Sequence, residues 1–224
     1  MAIKVIKTND GSTTLYNEEL DETYHSRHGA LQEAQHVFLK NGLQRFSSKN
    51  EITIFEMGFG TGLNAMLTLL TKSKHQHIKY VSIEKFPISL ELALATNYID
   101  LLNEHYNTDV TELFTKMHEC AWNTDVEITE GFTLHKIEDD ILTVDLTPFK
   151  VDLIYYDAFG ARVQDFLWQE DVISKVLSPL QPKGIFVTYS AKGTMKRALK
   201  ANGLEVNLVE GPPGKREMTI GTKT

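Results

Sequence analysis

The chain has 224 residues, of which 42% are hydrophobic and 24% charged, and these values predict one soluble globular domain with a sizeable core. No apolar run approaches the ~18 residues of a membrane-spanning helix, and the N-terminus has no apolar signal segment, so we expect a cytoplasmic protein without a membrane partner. The single cysteine, Cys120, excludes an internal disulfide and a cysteine-built zinc site.

The N-terminal part is predicted to be a hairpin followed by a helix. Residues 3–7 and 13–16 flank Asn9-Asp10-Gly11-Ser12, which is a strong turn sequence. A helical apolar pattern begins at Ala30 and ends near Asn41-Gly42. We therefore expect one domain over 1–224, in which 1–45 form an N-terminal extension.

Three histidines of this extension raise the question of a metal site. They are His25, His28 and His36. No acid or cysteine accompanies them at the spacing of metal ligands. We therefore expect no metal.

The most informative stretch places three glycines between a strand and a helix. The apolar run at 52–55 predicts the strand, and 63–70 predict the helix. The dinucleotide fingerprint is G-x-G-x-x-G, whereas here the spacing is E-x-G-x-G-x-G. The acid before the glycines disfavours a diphosphate and favours a cation such as S-adenosylmethionine, which carries an ammonium and a sulfonium. The predicted ligands of this cofactor are Glu56, Gly58, Gly60, Gly62 and Asn64. A tight turn that only packs the helix on the strand is the alternative.

Further acids follow the next strands. Glu84 closes the predicted strand 78–84, where a carboxylate can accept hydrogen bonds from both ribose hydroxyls. Asp139 and Asp140 follow the strand-like segment 126–137, which has a possible bend at Gly131, and are candidates to bind the adenine amino group. For all three acids, a solvated surface position is the alternative.

A second informative stretch is the apolar strand 151–156, which Asp157 stops. Ligands of open α/β sheets bind beyond the carboxyl ends of the strands. We therefore expect Asp157 to share a crevice with Glu56 and Glu84. Because a carboxylate is costly to desolvate there, it is a candidate functional group. Phe159 and Trp168 offer apolar or stacking faces for a substrate, although each is also an ordinary core residue.

The remaining segments complete an α/β pattern. Helices are predicted over 87–106, 109–121, 169–178 and 192–202, and strands over 185–190, 204–209 and 217–221. The predicted fold class is the Rossmann-like fold of class I S-adenosylmethionine-dependent methyltransferases. Its sheet would have seven strands, mostly parallel, with an antiparallel last strand, and the small N-terminal hairpin would be an addition to it.

Charge is distributed unevenly along the chain. The net charge is −7, yet residues 183–224 contain eight Lys or Arg against three Glu. Such a separation suits a protein that binds an anion with one face. A solvated basic face on the helix at 192–202 is the alternative.

These features together resemble a known family, through the following stretches: Tyr24-His25-Ser26, Gly29-Ala30, Glu33, His36-Val37-Phe38-Leu39, Glu56 to Asn64, Glu84-Lys85-Phe86-Pro87, Tyr156-Asp157-Ala158-Phe159, Trp168 and Gly214-Lys215-Arg216-Glu217-Met218. The chain resembles the methyltransferase part of the bifunctional tRNA 5-methylaminomethyl-2-thiouridine biosynthesis proteins and their stand-alone relatives. Two loops depart from the family pattern, at 160–165 and 211–214, and leave the set of tRNAs open.

The resemblance implies methyl transfer from S-adenosylmethionine to the amine of 5-aminomethyl-(2-thio)uridine at the tRNA wobble position. Asp157 would be the catalytic residue that binds the amine and accepts its proton. The fused oxidase domain has no counterpart in these residues, so we expect an upstream enzyme to supply the aminomethyl group. The sequence does not indicate an oligomeric state. The candidate contacts to tRNA phosphates are Lys192, Lys196, Arg197, Lys215 and Arg216.

Three other functions compete with this prediction. A small-molecule amine methyltransferase or aminopropyltransferase on the same fold would not need the basic C-terminal region. A dinucleotide-dependent oxidoreductase is disfavoured by the E-x-G-x-G-x-G spacing. A non-catalytic tRNA-binding module would not need Glu56, Glu84 and Asp157 together.

Overall fold

The computed structural model describes residues 3–224. Met1 and Ala2, with which the predicted domain and its extension begin, lie outside the described residues. The strands are β1 (Ile3–Lys7), β2 (Thr13–Asn17), β3 (Glu22–Thr23), β4 (Glu51–Met57), β5 (His77–Glu84), β6 (Asp125–Thr129), β7 (Phe132–Glu138), β8 (Val151–Tyr156), β9 (Leu180–Thr188), β10 (Leu204–Glu210) and β11 (Glu217–Lys223). The α-helices are α1 (Ala30–Ala34), α2 (Leu63–Thr71), α3 (Leu90–Leu94), α4 (Tyr98–Tyr106), α5 (Thr111–Glu119), α6 (Glu170–Leu177) and α7 (Gly193–Ala201).

The main sheet has the strand order β10-β11-β9-β8-β4-β5-β7-β6. Its five central strands pair in parallel, and β11 runs antiparallel to β9. The predicted Rossmann-like sheet with an antiparallel last strand is therefore confirmed, but the number of strands is eight and not seven. The extra strand arises at Gly131, whose φ of 71° turns the segment back so that β6 pairs antiparallel with β7.

The N-terminal hairpin is confirmed, and β3 adds a third strand to it. Its turn also caps α1. The Asp10 carboxylate accepts the backbone N–H of Gln32 at 3.2 Å, and the Ser12 hydroxyl accepts that of Ala30 at 3.0 Å. These bonds satisfy two amides that the first helical turn leaves without helical partners. The hairpin therefore holds α1 in place; α1 continues as a π-helix over Gln35–Lys40.

The predicted helix over 87–106 is divided into α3 and α4. The division lies at Asn97, whose side chain accepts the backbone N–H of Thr13 at 2.8 Å and donates to the carbonyl of Gly11 at 2.9 Å. The hydrogen bonds to the hairpin replace continued helical pairing at this point. A long-range contact therefore overrides the local helical pattern.

Side chains of the central strands alternate between two cores. On β4, Ile54 packs into one hydrophobic cluster and Phe55 into the other, as expected for a strand covered on both faces. Because β4, β5 and β8 are parallel neighbours, their carboxyl ends meet at one edge of the sheet. No helix within residues 3–224 is long and apolar enough to cross a membrane.

Candidate active site

A cavity of about 230 Å³ opens at the carboxyl ends of β4, β5 and β8; it is called the first cavity below. The structure brings most of the predicted cofactor ligands together there. Those that line it are Gly58, Gly60, Asn64, Glu84, Asp139 and Asp140, together with Asp157 and Phe159. Glu56 is buried near the end of β4, and Gly62 immediately precedes α2.

The glycine loop needs backbone angles that side chains disfavour. Gly58, Gly60 and Gly62 have φ values of 92°, 51° and 73°, which lie in the left-handed region. A Cβ on Gly60 would also lie 3.4 Å from the Tyr24 ring. The loop therefore brings main chain, without side chains, to the wall of the first cavity.

Glu84 is fixed at this wall by two backbone amides. Its Oε2 accepts from Gly60 N at 3.0 Å, and its Oε1 accepts from Phe86 N at 2.9 Å. A carboxylate has about four acceptor positions, so each oxygen keeps capacity for a further donor. This arrangement fits two neighbouring ribose hydroxyls.

Asn64, which lines the same cavity, has an unsatisfied acceptor. Its Nδ2 donates to Asp157 Oδ2 at 2.8 Å, whereas its Oδ1 is buried without a hydrogen-bond partner among the described residues. An orphaned buried acceptor costs about 1–3 kcal/mol. A ligand that donates a hydrogen bond, such as an ammonium, would remove this cost.

Glu56 is the most buried acid of the site, with 1% of its surface exposed. Its Oε2 accepts a hydrogen bond from the Ser82 hydroxyl at 2.9 Å. Burial, with a smaller contribution from the charge of Asp157, raises the pKa of Glu56 to about 8. The side chain is therefore poised to ionise when a cation arrives.

Asp139 and Asp140 lie at the mouth of the first cavity. Asp140 Oδ2 accepts from Lys85 Nζ at 2.7 Å, and Asp139 Oδ1 accepts from the Thr143 hydroxyl at 3.0 Å. Apolar groups of Phe86 and Ile141 line the cavity beside them. An apolar mouth with acidic acceptors suits an adenine ring and its amino group.

A second cavity, of about 320 Å³, adjoins the first. The residues that line both cavities are Tyr24, His25, Asp157, Ala158 and Phe159. The rings of Tyr24 and Phe159 meet edge to face, with centroids 5.1 Å apart and planes at 83°. This aromatic pair and the Asp157 carboxylate therefore stand where the two cavities meet.

Asp157 is the titratable group best suited to chemistry at neutral pH. Burial and the nearby charge of Glu33 raise its pKa to about 7, against the opposing effects of the Asn64 hydrogen bond and the Lys215 charge. His25 has its pKa lowered by burial to about 4 and is neutral at pH 7; its Nδ1 lies 3.1 Å from the Tyr98 hydroxyl. The junction thus contains the Asp157 carboxyl, whose pKa is close to neutral pH, and the uncharged imidazole of His25.

Comparison with known proteins decides the family. The sequence model of a family described as S-adenosyl-L-methionine-dependent methyltransferase matches residues 98–224. The chain belongs to this family. The cofactor is S-adenosylmethionine, which the glycine loop, Glu84 and the unsatisfied Asn64 oxygen of this methyltransferase fit. Among residues 3–224, no group of three or more His, Cys, Asp or Glu side chains is arranged to hold a metal ion.

Curated relatives confirm the predicted resemblance. The methyltransferase is 32% identical over 228 residues to the tRNA 5-methylaminomethyl-2-thiouridine biosynthesis bifunctional protein MnmC of Burkholderia multivorans, with 93% of the chain and 33% of the relative covered. A Burkholderia mallei protein of the same name is 31% identical over 220 residues, with 89% and 32% covered. The chain therefore spans about a third of the length of these relatives.

Solved structures show the same fold. The crystal structure of MNMC2 from Aquifex aeolicus superposes with a TM-score of 0.74 at 23% identity, covering 100% of this chain and 70% of that one. S-adenosylmethionine-bound CalS10, an amino pentose methyltransferase from Micromonospora echinaspora, gives a TM-score of 0.50 at 15% identity, covering 88% and 93%. The class I methyltransferase fold is therefore confirmed.

The predicted substrate residues of the methyltransferase occupy three kinds of position. Phe159 lines both cavities. Trp168 lies in the core with 1% exposure and lines neither cavity; its indole N–H donates to the Phe159 carbonyl at 2.9 Å, so it supports Phe159 from behind. Outside the cavities, the Lys192 ammonium pairs with Asp165. The remaining side chains, half-buried or exposed, are Lys196 and Arg197 on α7, and Arg216.

Lys215, a further predicted substrate residue, contacts two side chains of the site. Its Nζ forms an ion pair with Glu33 and lies 3.9 Å from the centre of the Tyr189 ring. Both Lys215 and Glu33 line the second cavity. The Glu33 carboxylate thus holds the ammonium in the wall of the second cavity, and a role of Lys215 in substrate binding stays a prediction.

Sequence reasoning did not assign four residues of the site: Tyr24, His25, Glu33 and Tyr189. The first three lie in stretches that carry the family resemblance, so the resemblance was the sequence feature that could have identified them. The apolar pattern of the strand ending before Tyr189 gave none.

Proposed function

We propose that this methyltransferase transfers the methyl group of S-adenosylmethionine to the primary amine of 5-aminomethyl-(2-thio)uridine at the wobble position of tRNA, in the cytoplasm. The observation that carries the proposal is the position of Asp157 at the junction of the two cavities. The names of the curated relatives, which refer to biosynthesis of this type of tRNA nucleoside, support it. An upstream enzyme would supply the aminomethyl group.

The residues of the chain bind the cofactor and the acceptor, orient them, and accept a proton. When bound, S-adenosylmethionine supplies an electrophilic methyl group on a sulfonium. Asp157 binds the acceptor amine, which enters from the second cavity, and directs the lone pair of the amine nitrogen toward the first cavity. It then accepts the proton that the nitrogen loses when it is methylated. A pKa of about 7 suits a general base at neutral pH, a role worth ~10²–10⁴-fold. Orientation supplies more, up to ~7–11 kcal/mol.

The second cavity suits a base that has left its stack. Its walls include the aromatic rings of Tyr24, Phe159 and Tyr189, which offer faces for stacking. Enzymes that modify a stacked base take it out of the stack into such a pocket. Lys192, Lys196, Arg197 and Arg216 are the proposed contacts to tRNA phosphates.

Methyl transfer from labelled S-adenosylmethionine tests the proposal. The acceptors are purified tRNA that carries 5-aminomethyluridine and the same tRNA without it. We expect label only on the aminomethylated tRNA, because only that nucleoside has the nucleophilic amine. Absence of label on both tRNAs, with cofactor binding intact, would reject the tRNA substrate in favour of the small-molecule amine alternative.

Asp157→Ala tests the role of the junction carboxylate in the same assay. We expect turnover to fall by ~10²–10⁴-fold while the affinity for S-adenosylmethionine changes much less. Asp109→Ala, which removes an exposed carboxylate outside both cavities, is the matched control. Wild-type turnover in Asp157→Ala would leave Asp157 without a catalytic role.

A further inference from the structure

The wall of the second cavity contains an ion pair that the proposed reaction does not use. Glu33 on α1 is 6% exposed, and it pairs with Lys215, which precedes β11 and stands 182 positions later in the chain. The Lys215 ammonium also lies on the Tyr189 ring, and the Tyr189 hydroxyl donates to the Ala158 carbonyl at 2.8 Å. The pair is thus connected to the residue that follows Asp157.

Two of the carboxylates that line the second cavity have a cationic partner. Three carboxylates line it. Glu33 is paired with Lys215, and Glu22 lies 3.5 Å from the Arg162 guanidinium. Asp157 has no ion-pair partner within residues 3–224; its hydrogen-bond donor is the uncharged Asn64 amide. Asp157 is therefore the carboxylate of this cavity that has no ion-pair partner among the described residues, and it is at the junction with the first cavity. The cavity is also lined by Arg27, whose guanidinium lies 5.4 Å from the centre of the Tyr16 ring.

We propose that Lys215 is a positioning residue that neutralises Glu33, so that Asp157 is the carboxylate of the second cavity that is left without an ion-pair partner and that faces the amine of the acceptor. This inference rests on the proposed function for the identity of the acceptor. The geometry that carries it is the Glu33–Lys215 pair in the wall that Asp157 shares. Without the lysine, two carboxylates would face one another, and like charges favour the protonated form of one of them.

The pH dependence of Asp157 depends on groups from several elements. The charged or titratable side chains that couple electrostatically to Asp157, or that line the second cavity with it, come from several elements. They are Glu22 (β3), Tyr24, His25, Arg27 and His28 (between β3 and α1), Glu33 (α1), Glu56 (β4), Tyr80 (β5), Tyr98 (α4), Tyr189 (after β9) and Lys215 (before β11). Burial raises the pKa of each of these tyrosines, so they stay neutral below pH 9. Glu56 is unchanged in every variant below, so Glu33 and Lys215 are the charges that the variants alter.

The test compares pH profiles of kcat/KM for methyl transfer to aminomethylated tRNA. In Lys215→Met we expect the rise of activity with pH to move upward, by on the order of one pH unit, because an uncompensated Glu33 disfavours ionised Asp157. In Glu33→Gln we expect the rise of activity to move to lower pH, because the negative charge that raises the pKa of Asp157 is lost while the positive charge of Lys215 remains. The double variant should return close to the wild-type profile. Lys74→Met, which removes an exposed lysine outside both cavities, is the matched control and should not move the profile.

The opposite directions in which the two single substitutions displace the pH profile distinguish a positioning role of Lys215 from a structural one. Acceptor ionisation is common to all variants, so differences between variants belong to the enzyme. Loss of activity without any displacement of the profile, or displacement of both single variants in the same direction, would overturn the inference. If Lys215→Met does not fold, Glu33→Gln and the double variant still give the comparison.

A second measurement separates this inference from the proposed function. The carboxyl ¹³C resonance of Asp157, assigned by its loss in Asp157→Asn, reports its titration without any substrate. Opposite displacements of this titration in Lys215→Met and Glu33→Gln would support the charge relation even if the wild type leaves aminomethylated tRNA unmethylated. Coincident titrations in all variants would reject it even if the tRNA is methylated.

Discussion

At the scale of single residues, two acids of the site have pKa values that burial raises. Burial raises the pKa of Glu56 to about 8 and that of Asp157 to about 7. Each is therefore partly protonated near neutral pH before any ligand binds. A cationic ligand favours the ionised form, so its binding must release protons in this pH range.

Affinity for S-adenosylmethionine should consequently rise with pH. Below pH 8 the ionised fraction of Glu56 falls, so we expect up to about tenfold weaker binding for each pH unit, equivalent to ~1.4 kcal/mol. Calorimetric titration at pH 6 and pH 8, in buffers of different ionisation enthalpy, measures both the affinity and the released protons.

Glu56→Gln is the variant that isolates this effect. It keeps the shape of the side chain and removes its titration, so the pH dependence should flatten and the remaining slope should belong to Asp157. The outcome contrary to this prediction is a wild-type protein with equal affinity at both pH values.

Sequence reasoning found the residues whose position follows from local pattern. Glu56, Glu84 and Asp157 each end an apolar strand, and parallel strands bring such ends together. It did not find the pairing of Lys215 with Glu33, which stands 182 positions away. Local pattern contains no information about such a pair, because the pair forms only when α1 and the loop before β11 pack together.

At the scale of elements, the glycine loop combines two demands at Gly62. Its φ is 73°, and a Cβ there would lie 3.0 Å from His118 Nε2 and 3.2 Å from the Phe59 ring. Gly203, after α7, has a similar φ of 77° but no atom within 4 Å of the added Cβ. The two positions therefore differ in crowding and not in backbone conformation.

Gly62→Ala and Gly203→Ala form a matched pair for stability. We expect both to lose about 1–2 kcal/mol of unfolding free energy from the left-handed backbone, and Gly62→Ala to lose more because α5 and the loop must shift. Urea unfolding measures the difference, and cofactor binding should weaken in Gly62→Ala alone. Equal losses of unfolding free energy at the two sites would show that His118 and Phe59 move away from the added Cβ at no measurable cost.

Two segments with a continuous sequence pattern are each divided at a single residue. The helical pattern over 87–106 is continuous in sequence, but Asn97 hydrogen-bonds to the hairpin and ends it. The strand pattern over 126–137 is likewise continuous, but the turn at Gly131 folds it into β6 and β7. In both cases one residue with a long-range or turn-forming role outweighs the periodicity around it.

At the scale of the whole molecule, the basic C-terminal region predicts salt-dependent binding of tRNA. If Lys192, Lys196, Arg197 and Arg216 each contact a phosphate, the logarithm of affinity should fall with the logarithm of salt concentration with a slope of about −3. Filter binding or fluorescence anisotropy across a salt series measures it.

Single substitutions check which side chains contribute to that slope. Arg197→Ala should reduce its magnitude by about 0.7–0.9. Lys74→Ala, at an exposed position outside the basic C-terminal region, provides the reference. A slope close to zero in the wild type would remove the phosphate contacts from the proposal.

The shared wall of Tyr24 and Phe159 has one more consequence. Because the same two rings bound both cavities, a ligand that displaces either ring on one side alters the room available on the other. We therefore expect the binding of donor and the binding of acceptor to be thermodynamically coupled through these rings. Thermodynamic linkage makes that coupling reciprocal. The factor by which the bound donor changes the affinity for the acceptor equals the factor by which the bound acceptor changes the affinity for the donor.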